Sequence, residues 1–292
     1  MTDLHSIREL IRVTTAYLEQ RGVESARLNA ERLLADVLDL SRMELYFQHD
    51  RPVAGAELDR YRDLVRQRGR GEPLQTLIGE AEFYSRPFKV EPGVFIPRPE
   101  TERLVELAVQ MLTPPDHRLL APRAMEIGAG SGVIACSLAL EVPRLEIWTT
   151  DVNPRAVALT EDNAGRLGVG ARVHPLQGDL AFALPATLRG SVDLLVSNPP
   201  YVRSGDLAGL PREVRRDPPA ALDGGPDGLR FYRAVAELAP EWLRPGAGLA
   251  LEIGDDQGEP VAAIVTAAGG TQVTVHEDYA RRPRVVTARW PG

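Results

Sequence analysis

A short apolar run, Asp193-Leu-Leu-Val-Ser197, leads directly into Asn198-Pro199-Pro200-Tyr201. The run is bounded by polar residues and reads as a buried strand of a parallel sheet. Two consecutive prolines cannot continue a strand ladder, so the strand ends at Asn198 and the chain beyond it is stiff and extended. Such a corner suits the holding of a planar NH2 group. The side-chain carbonyl of Asn198 and the backbone carbonyl of Pro199 offer two acceptors on a rigid frame, enough for both hydrogens of an amide or an exocyclic amine. Tyr201 adds an aromatic face on which the flat group packs. Asn-Pro alone marks many plain strand-ending loops. The full tetrapeptide, at the carboxyl end of a strand where open α/β sheets bind ligands, points to chemistry instead.

A second constellation lies upstream. Glu126-Ile-Gly128-Ala129-Gly130-Ser131-Gly132 follows an apolar strand and opens a helix, and its glycines let a ligand approach the backbone. Asp151, 19 positions beyond Gly132 at the end of the next strand, is placed to accept from ribose hydroxyls. This combination indicates an adenosine ligand. By itself it leaves a nicotinamide dinucleotide and S-adenosylmethionine level, because Gly130 to Ala135 also fits the G-x-G-x-x-A fingerprint. Three features favour S-adenosylmethionine. Asp179, ending the third strand, is placed to accept from the adenine amine. Glu126 suits the ammonium of a methionine moiety better than a pyrophosphate. The Asn-Pro-Pro-Tyr corner has a task in methyl transfer and none in hydride transfer.

The elements that must position these residues alternate from Arg123 onward. Strands are expected at 124–127, 145–150, 171–176, 193–197 and 248–253, with helices at 132–140, 154–167, 229–243 and 257–268. Two last strands near 272–277 and 284–289 are expected to be antiparallel. This is an open, mostly parallel sheet with helices on both faces. The segment from Tyr201 to about Gly228 is rich in Pro, Gly and Asp and too long for a simple connector.

The first 79 residues differ. Leu4, Ile7, Leu10, Ile11, Thr14 and Leu18 share one helical face, with Gly22 as the stop. A second helix is expected after a Ser25 cap, with others over 43–48 and 56–67, giving a small helical bundle. Arg60, Arg62, Arg66, Arg68 and Arg70 on its last helix read as a solvated charged face. Glu80 to Phe95 reads as a hairpin linking the two parts. Pro99, at the head of a helix with Glu100 and Glu102, suits a first turn.

Composition narrows the classes. The chain has 292 residues, 43% of them hydrophobic, enough for one large domain and one small one. The opening Met1-Thr-Asp-Leu-His is not expected to be a signal or transit peptide, and no run reaches membrane-spanning length. The one cysteine, Cys136, fits a reducing cytoplasm and a place in the core. Histidines 5, 49, 117, 174 and 276 lack metal-ligand spacing, so no metal is expected. A net charge of −7 disfavours a stable nucleic-acid partner.

The chain resembles the HemK/PrmC-type protein-(glutamine-N5) methyltransferases. The resemblance rests on Glu72-Pro-Leu-Gln-Thr-Leu-Ile-Gly79, Val94-Phe-Ile-Pro-Arg-Pro-Glu-Thr-Glu102, the glycine loop and Asn198 to Tyr201. It extends through Ala221-Leu-Asp-Gly-Gly-Pro-Asp-Gly-Leu229 and Glu252-Ile-Gly with Gln257. It implies a helical N-terminal substrate-docking domain (1–79), a β-hairpin linker (80–96) and a Rossmann-like class I methyltransferase domain with a seven-stranded sheet (97–292). It further implies S-adenosylmethionine held by Glu126, Gly128, Ala129, Gly130, Ser131, Gly132, Asp151, Asp179, Leu180 and Asn198. The substrate is then the Gly-Gly-Gln glutamine of class I peptide chain release factors, met by Asn198, Pro199, Pro200 and Tyr201. DNA adenine-N6 methyltransferases share the Asn-Pro-Pro-Tyr corner, and a sister family acting on a ribosomal-protein glutamine carries Pro-Arg-Ser-Pro where this chain has Pro-Arg-Pro-Glu. A binding module with a vestigial cofactor site is the non-enzymatic alternative. Three positions depart from the family pattern: Glu126 for Asp, Leu180 for Trp and Arg281 for Gly.

Overall fold

The computed structural model describes residues 5–113 and 120–291, and the chain divides into two compact units. Leu4 and His117 lie outside the described residues.

The first unit comprises residues up to Glu80 together with Pro211–Arg216. Its helices are α1 (Ile7–Gln20), α2 (Ala26–Leu38), α3 (Arg42–Phe47), α4 (Gly55–Gly69) and α5 (Leu74–Ile78). Helix α1 begins at Ile7 because Ser6 caps it, its side chain accepting from the Glu9 N–H at 3.2 Å. The two residues before it, β1 (His5–Ser6), pair instead with β2 (Pro52–Val53). The core joins Ile7 and Leu10 to Leu33, Leu34, Leu58 and Tyr61.

Two expectations need correction here. Ser25 does not cap α2 through its side chain. Its φ of 49 is left-handed, whereas capping geometry needs an extended residue. The turn is tied instead by Asn29, whose Nδ2 donates to the carbonyls of Glu24 and Ser25. Nor is the arginine face of α4 solvated throughout. Arg68 is 3% exposed and donates to Asn29 Oδ1 at 2.6 Å, the Glu72 carbonyl at 3.1 Å and Glu213 Oε1 at 2.5 Å. A buried guanidinium needs such partners, and Glu213 is supplied from 145 positions farther along the chain.

The second unit begins at Ala81, one residue into the hairpin of β3 (Glu80–Phe83) and β4 (Arg86–Lys89). There follow α6 (Glu102–Leu112), β5 (Arg123–Ile127), α7 (Val133–Glu141), β6 (Glu146–Asp151), α8 (Pro154–Arg166) and β7 (Val173–Gln177). The chain continues through β8 (Val192–Ser197), α9 (Arg230–Trp242), β9 (Leu243–Glu252), α10 (Gly258–Ala267), β10 (Thr271–Glu277) and β11 (Pro283–Arg289). The seven strands lie in the order β10-β11-β9-β8-β5-β6-β7. Strands β9, β8, β5, β6 and β7 are parallel, and β11 runs antiparallel to both of its neighbours.

Helices cover both faces. Leu104 and Ala108 of α6 pack with Cys136 and Leu138 of α7 on one side, and Tyr232 and Val235 of α9 pack with Val261 and Val265 of α10 on the other. All six residues of β8 are buried, as a strand covered on both faces requires. Cys136 is a core residue, and burial pushes its thiol up to about 12. Among the described residues, no helix is long and apolar enough to cross a membrane, and no group of His, Cys, Asp and Glu could hold a metal ion.

Candidate active site

From β5 the chain builds outward to β6 and β7, then returns to lay β8 on the opposite side of β5. This reversal makes the carboxyl ends of β5 and β8 the place where an open α/β sheet parts to admit a ligand. Ile127 and Ser197 are register partners there, and the Ser197 hydroxyl donates to the Ile127 carbonyl at 2.6 Å. The next residues are Gly128 on one strand and Asn198 on the other. A Cβ on Gly128 would stand 3.8 Å from the Asn198 carbonyl, so the two predicted constellations meet.

The glycine loop is held from below. The N–H groups of Gly128 and Ala129 both donate to the Thr150 carbonyl, at 2.8 and 3.0 Å. Asn163 donates to the Ser131 carbonyl at 2.8 Å. Gly132, at φ 80, lies against Thr160, where a Cβ would meet side-chain and backbone atoms at 2.9–3.1 Å. Gly130 has nothing within 4 Å of its Cβ position, so that edge of the loop is open. The Gly130 N–H donates to Asp151 Oδ2 at 2.9 Å, and the Asn153 N–H to Asp151 Oδ1 at 2.9 Å. Asp151 thus ends β6 with its carboxylate fixed beside the loop, and burial raises its pKa. Each of its oxygens keeps a lone pair for a further donor.

Glu126 lies beneath the loop, 0% exposed, and among the described residues neither carboxylate oxygen has a hydrogen-bond partner. Burial pushes its carboxyl up to about 8. Asp179 is exposed beyond β7. Leu180 follows in the left-handed region at φ 48, its carbonyl accepting from Thr150 Oγ1 at 2.7 Å. Phe182, 86% exposed, comes two residues later. Arg281 also has a left-handed φ, 59, which is where glycine is the unstrained choice.

The corner itself is pinned on several sides. Pro199 is buried, while Asn198, Pro200 and Tyr201 are partly exposed. Asn198 Nδ2 donates to the Thr101 hydroxyl at 3.2 Å, which leaves its side-chain carbonyl free. Gln257 Nε2 donates to the carbonyls of Tyr201 and Gly228, at 3.0 and 3.3 Å. The segment 221–229 packs on the corner so closely that a Cβ on Gly224 would lie 2.8 Å from both the Pro200 carbonyl and Tyr201 Cα. Burial pushes the Tyr201 hydroxyl up to about 12, so it is neutral at physiological pH and no base. Asp217, buried farther along the same loop, accepts from Arg98 and, at 3.2 Å, from the Ile96 N–H, which anchors the start of the Pro-Arg-Pro-Glu-Thr-Glu stretch.

Thr101, Glu252 and Gln257 were legible only as matched positions, with no role attached. Their signal is spatial. Thr101 comes from the 3-10 turn before α6, Glu252 from the end of β9 and Gln257 from the cap of α10.

A sheet that reverses its strand order at β5, with a glycine loop and the Asn-Pro-Pro-Tyr corner at that point, defines a Rossmann-like methyltransferase of the class that uses S-adenosylmethionine. The family models described as PrmC N-terminal domain and Methyltransferase small domain match residues 9–79 and 86–210. The release factor glutamine methyltransferase of Moorella thermoacetica is 42% identical over 285 residues, 97% of this chain and 98% of that protein. That of Geobacter sulfurreducens is 40% identical over 291 residues, 98% of each. The chain belongs to the family of release factor glutamine methyltransferases. The fold is shared more widely. The hMettl16 catalytic domain, solved with MAT2A 3'UTR hairpin 6, has a TM-score of 0.56 at 16% identity, over 70% of this chain and 74% of that one.

Proposed function

We infer that this protein methylates the side-chain amide nitrogen (N5) of the Gly-Gly-Gln glutamine in class I peptide chain release factors. The observation that carries the reading is the corner at the end of β8. Asn198 has its NH2 committed to Thr101 and its carbonyl free, directly beside the glycine loop.

Bound S-adenosylmethionine supplies an electrophilic sulfonium methyl. The residues present fit that cofactor. Glu126 has two buried acceptors without a donor, which the methionine ammonium would satisfy. Asp151 has lone pairs for the ribose hydroxyls, and Asp179 and Leu180, just beyond β7, would take the adenine. Gly128, Ala129, Gly130, Ser131 and Gly132 let the cofactor approach the backbone, with Asn198 closing the site from the β8 side.

The substrate amide is a poor nucleophile, because full loss of its resonance costs on the order of the ~18–20 kcal/mol rotation barrier. Two neutral hydrogen bonds contribute only about 0.5–1.5 kcal/mol net each. Asn198 and Pro199 therefore cannot pre-rehybridise the nitrogen. They aim its lone pair along the line of transfer, and their bonds to it tighten as its N–H groups grow more acidic. Pro200 stiffens the corner and Tyr201 packs against the planar group. The nitrogen sheds its extra proton to water after transfer, so no general base is required and no metal takes part.

Residues 1–79 dock the substrate, 80–96 link, and 97–292 carry the transfer. The protein works in the cytoplasm with a protein substrate, and holds neither a stable nucleic acid nor a membrane.

The test is peptide mapping by mass spectrometry of a purified release factor incubated with the protein and S-adenosylmethionine. One added methyl on the Gly-Gly-Gln glutamine supports the reading. Methyl transfer only to a ribosomal protein or to adenine in DNA would keep the chemistry and reject the substrate. Cofactor binding without any transfer would favour a binding module.

A further inference from the structure

An Asn side chain presents an acceptor at one end and donors at the other, and only the acceptor end can receive a substrate NH2. What decides which end faces out is the hydrogen-bond chain behind it. Asn198 Nδ2 donates to Thr101 Oγ1 at 3.2 Å. With Oγ1 accepting from Asn198, the Thr101 proton turns to another acceptor. Glu252, at the end of β9 beside the end of β8, provides it. The Glu252 side chain is 1% exposed, and the Thr101 hydroxyl and Asn198 amide are its hydrogen-bonding neighbours. Among the described residues its Oε2 is buried with no hydrogen-bond partner in range, and a buried oxygen left so calls for an explanation.

We propose that Thr101 and Glu252 are positioning residues that orient the Asn198 amide, so that its carbonyl rather than its NH2 meets the substrate nitrogen. This deepens, and rests on, the methyl-transfer reading above.

The chain has a direction. With Glu252 ionised, protons point from Asn198 to Thr101 to Glu252, and Asn198 Oδ1 is left for the substrate. A protonated Glu252 instead offers a donor to Thr101 Oγ1, competing with the Asn198 NH2 for that oxygen and loosening the hold that keeps Asn198 Oδ1 turned to the substrate. Burial pushes the Glu252 carboxyl up to about 7, with Thr101, Arg284 and Asn198 favouring its ionised form and Glu100 opposing it. The other titratable groups facing it are the hydroxyls of Tyr201 and Tyr232, both raised by burial and neutral at this pH.

The experiment measures kcat, KM for a release factor and cofactor affinity by calorimetry, from pH 5.5 to 8.5. The expected result for Thr101→Val is a kcat lowered ten- to a hundredfold, with cofactor affinity within a few-fold. Thr101→Ser restores most of the rate. Wild-type kcat falls on the acid side with a midpoint near 7, and Glu252→Gln lacks that limb. A Thr101→Val enzyme at wild-type kcat, a Thr101→Ser enzyme as slow as Thr101→Val, or an acid limb that persists in Glu252→Gln would each overturn the proposal. A readout independent of turnover is the side-chain amide NMR signal of Asn198. It should titrate with Glu252 in the wild type and stay flat in Glu252→Gln. Titration without methyl transfer to a release factor would reject the substrate reading and leave the hydrogen-bond chain standing; a flat wild-type signal would reject the chain itself.

Discussion

Gln257 Nε2 donates to the Tyr201 carbonyl at 3.0 Å, fastening the end of the Asn-Pro-Pro-Tyr corner to the head of α10. The same side chain donates to the Gly228 carbonyl, while its Oε1 accepts from the Gly254 N–H at 3.0 Å and the Tyr232 hydroxyl at 3.2 Å. One buried amide thus joins the corner, the loop that closes over it and the end of β9.

Gln257→Glu keeps the acceptor side of that junction and turns its two donor contacts into a carboxylate facing two carbonyls. Each unpaired buried group costs about 1–3 kcal/mol. The expected outcome is a Tm lower by roughly 5–10 °C with turnover reduced along with it. Unchanged melting and turnover would show that Gln257 does not hold the corner.

Asn198→Ala removes the acceptor proposed for the substrate nitrogen and leaves the glycine loop intact. Turnover should fall by orders of magnitude, while S-adenosylmethionine affinity stays within a few-fold. Single-turnover kinetics paired with calorimetry separates the two, and comparable turnover in the variant would remove Asn198 from its role.

Asp151→Ala should act the other way round. It removes the acceptor proposed for the ribose hydroxyls and the bonds to the N–H groups of Gly130 and Asn153. Cofactor affinity by calorimetry is expected to weaken by about tenfold or more, roughly 1.4 kcal/mol. A normal affinity counts against the ribose assignment.

Glu126 makes stability depend on pH. Burial raises its folded pKa from 4.5 to about 8, so its contribution is full below the unfolded value and is lost as pH rises through about 8. Glu126→Gln carries no such charge. In the absence of cofactor its Tm should match the wild type near pH 5 and exceed it near pH 9, where the difference is on the order of a few kcal/mol. Glu252, raised to about 7, is present in both proteins and cancels in the comparison. Parallel melting curves at all pH values would rule out a strained Glu126.

Local signals were enough for much of the fold. The alternation of apolar strands and helices from Arg123 onward, and the double proline that ends β8 at Asn198, depend on backbone preferences close in sequence. So do the strand-loop-helix pattern around Gly128 to Gly132 and the antiparallel pair at the C-terminus. At Ser25 residue type signals capping but carries no sign of the left-handed φ. The partner of Arg68, Glu213, arrives from a distant loop, which charge spacing on a helix cannot reveal.

Residue types and glycine backbone point, without any tertiary information, to where a planar amide and an adenosine cofactor are proposed to bind, since those capacities belong to side chains and backbone. That Gly128 and Asn198 are neighbours follows from strand order, which depends on how the whole sheet packs. The tertiary structure alone decided that Thr101, Asn198 and Glu252 converge, from three elements 97 and 54 positions apart along the chain. A hydrogen-bond direction set by groups so far apart has no local signature, because it exists only once packing has excluded the water that would otherwise satisfy each of them.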